Sequence, residues 1–368
     1  MELAYIVYTA IFIVTILFAY FGIKANRGRK DSVSRQTWVF WGIAIVFYIF
    51  ILGLRKDVGI DYRTYKMFFE NDFNSSSGVD IIYYLFENIV KNGHYNYFIA
   101  FLAFIPIYFI FLSFKDKPKF LVLFLFFYFT WGTFFYSMNI MRQTAACAIL
   151  LYVITRYLDR DYKGFIIFYI LAFILHRSVL LALPFIFLFK FDFIKPRWII
   201  ICLLFLSFLY GQYIYNSYSH SLENVVLTGI FERYNYYLEG RYEYSERVTT
   251  GSGLFEVLNL FVALLVVFYS NVLKRKYEQY NFNLYYNFMI VGYIFHNIIY
   301  DLVMLRVFNY FNFLGILALA MLFHYLFFIQ KNIMLKFIGV GLMLIGIVNY
   351  YYQIYKCTME IAPFYFIF

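Results

Sequence analysis

The sequence predicts an all-α polytopic membrane protein with about eleven transmembrane segments and one short broken-helix hairpin. Two observations lead to this prediction. Apolar residues make up 64% of the 368 residues and charged residues only 14%, whereas soluble domains average about 45–50% and about 25%. The apolar residues are also gathered into runs that approach the roughly 20 residues a helix needs to cross a bilayer. A fold around one aqueous core is therefore excluded, and we expect a single integral membrane domain over residues 1–368.

The candidate spans follow one another along nearly the whole chain. They lie at residues 3–23, 37–54, 95–114, 119–135, 141–158, 164–189, 197–215, 254–273, 284–300, 304–329 and 333–355. The first run has no small-residue cleavage site and is longer than the apolar core of a typical signal peptide. We therefore expect it to remain as a transmembrane helix.

The basic residues indicate the orientation of these spans, because Lys and Arg are retained on the cytoplasmic side. Six links hold 19 of the 31 basic residues but only 6 of the 21 acidic ones: IKANRGRKDSVSR, KDKPK, RYLDRDYK, KFDFIKPR, KRKYE and the link from Lys331 to Lys336. We expect these links inside, and the segments 55–94 and 216–252 outside. The net charge of +10 is then a topology signal, and no nucleic-acid partner is expected.

One run conflicts with a simple alternation of inside and outside. The run at 164–189 begins at a basic link, yet the link after it is also basic. Its 26 residues are too few for two full crossings. We therefore expect a short hairpin or broken helix with His176, Arg177 and Ser178 at its apex. The alternative is one long tilted span, which would place Lys190 to Arg197 outside.

Charged residues interrupt the apolar pattern directly after the second run, in the stretch RKDVGIDYR that starts at Arg55. In the predicted topology this stretch emerges on the outer face, and an amphipathic piece, DIIYYLFENIV, then lies at the membrane interface. Ionisable residues from distant runs fall in the same outer layer: Arg142, His176, His296, Asp301 and Arg306. A single arginine there is often only a side chain that reaches lipid head groups. Their convergence favours a functional site.

Polar residues also share one helix face at the outer end of the run that begins at 141. Asn139, Arg142 and Gln143 are spaced i, i+3 and i+4, so they lie on the same side. Arg306 and Tyr310 repeat the i, i+4 spacing on a later run. The sequence has neither paired cysteine spacing nor an acidic cluster of ligand spacing, so we expect no metal and no other cofactor.

Six short motifs follow one another along the chain. They comprise Arg55, Gly59, Asp61, Tyr62 and Tyr65; Asp80 to Leu85; Asn139, Arg142, Gln143 and Ala146; Ala172, Phe173, His176, Ser178, Leu183 and Pro184; Arg306, Tyr310 and Phe311; and an Ala-Pro-Phe-Tyr stretch from Ala362. In this order they resemble the EpsG-like branch of Wzy-type polysaccharide polymerases over nearly the full length. The chain departs from the family pattern at Lys56, where an aromatic is common, and at Val179, where alanine is usual.

The resemblance implies a GT-C-like glycosyltransferase in the bacterial cytoplasmic membrane, with its active site facing outward. A growing glycan on undecaprenyl diphosphate is transferred to a sugar hydroxyl of one lipid-linked repeat unit, and undecaprenyl diphosphate is released. The partners implied are this lipid-linked oligosaccharide and membrane lipid. A chain-length regulator and a flippase are further candidate partners.

The same resemblance suggests a role for each candidate residue. The leaving diphosphate needs cations, and guanidinium groups make two-pronged phosphate contacts. The attacking hydroxyl needs a base, for which His176 and Asp61 compete. The catalytic candidates are His176, Asp61 and Arg142, and the substrate-binding candidates are Arg55, Tyr62, Tyr65, Asn139, Gln143, Ser178, Arg306 and Tyr310.

The second outer segment offers a surface for sugars. Eight tyrosines from Tyr213 to Tyr244 alternate with Asn, Glu and Arg, and such a composition can stack on sugar rings and bind hydroxyls. An ordinary polar loop with interfacial tyrosines is the alternative.

Three other function classes stay open. A glycan ligase or another lipid-linked-sugar glycosyltransferase would use the same arginines with a different acceptor. A polysaccharide flippase would need polar residues at the bilayer midplane and on both faces, whereas the ionisable residues here cluster toward one face. An acyltransferase would depend on a deep histidine, for which His324 is the candidate.

Overall fold

The computed structural model describes residues 1–26, 33–70, 94–189, 197–226, 253–298 and 302–368. Their regular structure is helical apart from one isolated antiparallel β-bridge between Arg55 and Phe366. In chain order the α-helices are α1 Glu2–Ala25, α2 Arg35–Gly53, α3 Tyr62–Glu70, α4 Tyr95–Ser113, α5 Leu121–Thr130, α6 Thr133–Asn139, α7 Met141–Leu158, α8 Tyr162–Leu175, α9 Leu183–Leu188, α10 Arg197–Val226, α11 Leu254–Lys276, α12 Phe282–Ile298, α13 Leu302–His324 and α14 Ile333–Tyr355. Short 3₁₀ turns and one π-helical turn, Tyr325–Ile329, complete them. The all-helical prediction is confirmed for this part of the chain.

Within the described ranges, six helices are long and apolar enough to cross a membrane: Glu2–Ala25, Arg35–Gly53, Tyr95–Ser113, Leu254–Lys276, Phe308–Ile329 and Ile333–Tyr355. A bent pair, Pro118–Thr130 with Thr133–Asn139, would be a seventh. These helices identify a multi-pass membrane protein. The larger number of about eleven spans stays a prediction.

The described chain forms two compact units. The first comprises Met1–Leu180 with Leu326–Phe368, and the second comprises Leu181–Tyr325. The single membrane domain predicted from the sequence therefore stays a prediction. Large parts of the two predicted outer segments, residues 71–93 and 227–252, lie outside the described residues.

In the first unit, α1 and α2 pack closely because a glycine faces an aromatic side chain. A Cβ atom added to Gly22 would clash with the Trp41 ring. The Thr37 hydroxyl donates to the Gly22 carbonyl at 2.9 Å, and Ser34 caps α2 by accepting from Thr37 N at 3.1 Å. Small residues at such a contact let two membrane helices approach each other.

A helix break separates α5 from α6, and the two axes differ by 64°. Gly132 supplies the turn with a positive φ of 88°, which glycine adopts without steric cost. The carbonyl of Thr130 accepts a hydrogen bond from Asn349 Nδ2 of α14 at 2.9 Å. This bond satisfies a backbone group that the broken helix no longer pairs.

The next two helices, α7 and α8, form a hairpin. Residues 159–161 join them, Arg160 has a positive φ of 63°, and Asp161 caps α8 by accepting from Gly164 N at 2.9 Å. Because the link is so short and the helices pack on each other, they run antiparallel. Helix α8 ends at Leu175 and His176 is extended. The predicted break at His176 is thus confirmed; the return to the inner side stays a prediction, since residues 190–196 lie outside the described part.

In the second unit, α12 and α13 pack through glycines. A Cβ added to Gly315 would lie 2.8 Å from the Cα of Met289, and one added to Gly292 would lie 3.0 Å from the Cβ of Phe311. Phe288 and Phe311 meet at 5.4 Å between ring centroids. Close backbone approach and ring packing therefore hold this pair together.

Candidate functional site

The candidate site lies in the first unit, where the chain leaves α2. Arg55 is 1% exposed, and its Nη2 donates to the Met138 carbonyl at 3.0 Å and to the Met141 sulfur at 2.9 Å. Asn96 Nδ2 holds the backbone from the other side through the carbonyls of Gly53 and Arg55, at 2.8 and 3.1 Å. The first charged motif is therefore anchored at the break between α6 and α7.

Arg55 is a buried cation without a counter-ion among the described residues. It makes no salt bridge with any described carboxylate, and its Nε has no hydrogen-bond partner. Burial lowers the pKa of Arg55 from its ordinary value, but a guanidinium stays charged in proteins. An uncompensated buried charge costs several kcal/mol.

Gly59 brings the same motif against the same break. Its φ is +98°, and a Cβ atom there would lie 2.9 Å from the Met138 carbonyl oxygen and 3.0 Å from Asn139 Oδ1. Only glycine allows this approach without displacement. The spacing of Arg55 and Gly59 thus matches two contacts with residues 138 and 139.

The two tyrosines of the motif lie on α3. At the start of this helix, the Asp61 carbonyl accepts a hydrogen bond from Tyr65 N at 2.9 Å. Tyr62 packs edge-on against Tyr95 at 5.1 Å between ring centroids. Tyr65 is 8% exposed, and the guanidinium carbon of Arg142 lies 5.8 Å from its ring centroid. This distance permits a cation–π interaction, so α3 meets the arginine that starts α7.

The start of α7 suits an anion. Ile140 at its N-cap position offers no side-chain cap, and the first backbone N–H groups of a helix have no partner within it. The helix dipole adds partial positive charge next to Arg142. Asn139 is 5% exposed and donates to the Phe135 carbonyl at 3.3 Å, while its Oδ1 lacks a hydrogen-bond partner. Gln143 is buried on the same turn.

His176 and Ser178 form a pair just after the C-terminal end of α8. His176 Nδ1 lies 2.6 Å from the Ser178 hydroxyl, and Ser178 is 1% exposed. Helix α8 has 14 residues and so rises about 21 Å. Because α8 runs antiparallel to α7, His176 lies at about the level of the first turns of α7. Arg177 beside it is exposed.

The remaining candidates are in the second unit or outside the described residues. Arg306 lies in α13, and its side chain is not among those described. Tyr310, four residues later, is fully buried. The prediction that Arg306 joins Arg142 stays a prediction, as do those for the interfacial piece after residue 79, the tyrosines beyond residue 226, and Asp301.

Sequence reasoning missed two parts of this site. The first is the Met138 carbonyl, which no side-chain pattern reveals because any residue supplies a carbonyl. The second is the stretch that follows α14, which pairs with residues 54–60. The Ala-Pro-Phe-Tyr motif starting at Ala362 was the available signal for it, since this motif has no role in a transmembrane span.

The described helices and the polar motifs at the α6–α7 break define a polytopic helical membrane protein with a cationic site. The chain belongs to the EpsG family, because the model of that family matches residues 38–366. EpsG-like proteins are similar to Wzy-type polymerases, and membership indicates a polysaccharide polymerase-like role. No match was found among curated proteins or among solved structures. The family match confirms the resemblance seen in the motifs.

Proposed function

We propose that this protein polymerises oligosaccharide repeat units carried on undecaprenyl diphosphate, at the outer face of the bacterial cytoplasmic membrane. The observation that supports this proposal most is the meeting of two distant motifs at the start of α7. Gly59 packs on Asn139, and Tyr65 lies against Arg142. A site that combines a guanidinium with an uncapped helix N-terminus favours a phosphorylated leaving group.

The reaction requires one displacement. The hydroxyl oxygen of the acceptor repeat unit forms a bond to the anomeric carbon of the growing glycan, and the bond from that carbon to the diphosphate oxygen breaks. The electron pair leaves with undecaprenyl diphosphate, and the hydroxyl proton passes to a base. Because the leaving group is already a stable anion, charge stabilisation by the protein is the main requirement.

Arg142 is the group we assign to the diphosphate, with the first N–H groups of α7 beside it. Arg306 on α13 is kept as a further candidate for binding phosphate. His176 and Asp61 are the two candidate bases; the Ser178 hydroxyl orients the His176 ring at 2.6 Å. The choice between them is left to experiment.

Asn139 and Gln143 are assigned to substrate binding, and three tyrosines are assigned to supporting roles. Asn139 has a buried oxygen without a partner, which suits a sugar hydroxyl that donates a hydrogen bond. Gln143 lies one turn beyond it. Tyr62 and Tyr65 hold α3 against its neighbours, and Tyr310 supports α13, the helix that carries Arg306. The further elements of the proposal are a GT-C-like architecture of about eleven spans and association with a flippase and a chain-length regulator.

A purified sample given lipid-linked repeat units tests this function. A polymerase produces a ladder of products that differ by one repeat unit and releases one lipid diphosphate for each linkage. A ligase produces no ladder but attaches one glycan to a separate acceptor. A flippase forms no linkage and moves the intact lipid across a vesicle membrane, which a one-sided glycan-binding probe detects.

A further inference from the structure

Residues Thr358–Phe368, here called the strap, run along the segment that holds Arg55. Lys56 N donates to the Tyr365 carbonyl at 2.9 Å, and Ile367 N donates to the Leu54 carbonyl at 3.0 Å. Gly59 N donates to the Glu360 carbonyl at 2.9 Å. The strap therefore fixes both ends of the stretch from residue 54 to residue 60.

The inner side of the strap is packed, and its outer side is exposed. Phe364 is 1% exposed and meets the ring of Tyr8 edge-on at 5.4 Å. The Tyr8 hydroxyl donates to the Ile361 carbonyl at 2.5 Å. Phe368 is 87% exposed. Burial of Phe364 thus seats the strap on α1, while Phe368 contributes little to that seat.

We propose that Arg55 is a positioning residue, held by the strap, that acts on the reaction through the Met138 carbonyl. The kinetic test of this inference rests on the proposed function. In the positioning role, Arg55 does not make the direct contact with substrate that the sequence had predicted. Arg55 is 1% exposed and two of its hydrogen bonds end on residues that flank Ile140, the N-cap of α7. Its guanidinium sets where α7 begins and so where the Arg142 guanidinium lies.

The geometry explains why an arginine is needed there. The Arg55 guanidinium reaches from the end of α2 to the Met138 carbonyl and the Met141 sulfur, which lie on the two sides of the α6–α7 break. A lysine ammonium has the same charge, but it is a compact point charge without the planar fork of arginine. From the same backbone position it cannot keep the contacts with both Met138 and Met141. Small displacements of a reacting group cost about 100-fold in rate when they reach about 1 Å.

Steady-state kinetics on purified protein with lipid-linked repeat units test the proposal. Arg55→Lys and Phe364→Ala are both expected to lower kcat at least about 10-fold and to leave KM within about threefold, because positioning is lost in the transition state. Phe368→Ala, on the same strap, is the matched control and is expected to match the parent protein. A direct phosphate ligand gives the opposite pattern, a raised KM in Arg55→Lys and a normal Phe364→Ala.

A double variant distinguishes indirect from direct action. If Arg55 acts through Arg142, adding Arg55→Lys to Arg142→Lys costs less than the product of the two single losses. Losses that multiply would show that the two arginines act independently and would overturn the proposal.

Hydrogen exchange separates this proposal from the proposed function. In Arg55→Lys and Phe364→Ala, peptides covering residues 133–148 are expected to exchange at least about threefold faster than in the parent protein and in Phe368→Ala. Where thermal melting shows that Phe364→Ala does not fold, Phe364→Leu takes its place. Unchanged exchange in Arg55→Lys contradicts the positioning role, whatever the activity; changed exchange with no polymer from the parent protein contradicts only the function.

Discussion

At the scale of single residues, Gly59 has the most restricted position in the candidate site. Its φ of +98° and its approach to Met138 and Asn139 exclude any side chain. Gly59→Ala should destabilise the protein by about 1–2 kcal/mol from the backbone conformation alone, with a further loss from the clash with the Met138 carbonyl. Thermal unfolding and polymer yield should both fall.

Gly42→Ala is the control for this change. Nothing lies within 4 Å of a Cβ atom built at Gly42, and alanine in a helix is favoured over glycine by roughly 0.5–1 kcal/mol. The variant should be as stable as the parent protein or slightly more stable. Equal stability of Gly59→Ala and Gly42→Ala would contradict the close approach of the two motifs.

His176 and Asp61 compete for the role of base, and their substitutions distinguish them. His176→Gln should insert at parent levels and bind the lipid-linked substrate, but form polymer about 10²–10⁴-fold more slowly, because a general base contributes that factor. Asp61→Asn is measured in the same assay. If Asp61→Asn alone shows the chemical defect, Asp61 becomes the base and His176 a structural residue of the break.

At the scale of elements, the α5–α6 break depends on a helix far away in the sequence. Asn349→Leu keeps the side-chain size but leaves the Thr130 carbonyl unpaired, since the 2.9 Å bond from Asn349 is lost. An unpaired buried carbonyl costs about 1–3 kcal/mol, so the melting temperature should fall. Val348→Leu, at a neighbouring position that is 61% exposed, should change stability by less than about 0.5 kcal/mol. Equal melting of both variants would contradict the assigned role of the bond.

The helices and breaks were predictable from the sequence to different degrees. The break at His176 was predicted from two basic links that were both expected inside, a signal that depends on charge and span length only. The anchoring of Arg55 at the α6–α7 break did not follow, because it depends on the Met138 carbonyl. The strap pairs with residues 54–60 through backbone groups, and backbone pairing over about 300 residues leaves no periodic pattern in the side chains.

At the scale of the whole molecule, the distribution of lysine and arginine predicts the orientation in the membrane. A cysteine at Met67, which is 51% exposed on α3, should react with a membrane-impermeant thiol reagent on intact cells. A cysteine at Lys163, exposed at the start of α8, should react only after permeabilisation. Labelling is compared with the parent protein, whose own three cysteines give the background. The reverse pattern would place the candidate site on the cytoplasmic side.

Some features of the whole molecule could be predicted from the sequence and others could not. Composition and run length predicted a helical multi-pass protein, and the motifs predicted its family, because both signals lie in side chains. The convergence of Arg55, Gly59 and Tyr65 on residues 138–142 needed coordinates. The sequence predicted that these residues lie at the same depth in the membrane, but it did not predict which of them contact each other.

We expect the Arg142 guanidinium at the start of α7 to stabilise the departing lipid diphosphate. This role is tested by counting the undecaprenyl diphosphate released for each new linkage, with purified protein and lipid-linked repeat units. The parent protein should release one molecule per linkage, and so should Arg63→Lys, a control whose side chain is 82% exposed. Arg142→Ala should fold, bind substrate and release none, and Arg142→Lys should be at least about 100-fold slower, because a point charge lacks the two-pronged contact. Release by Arg142→Ala at the parent rate would contradict the claim.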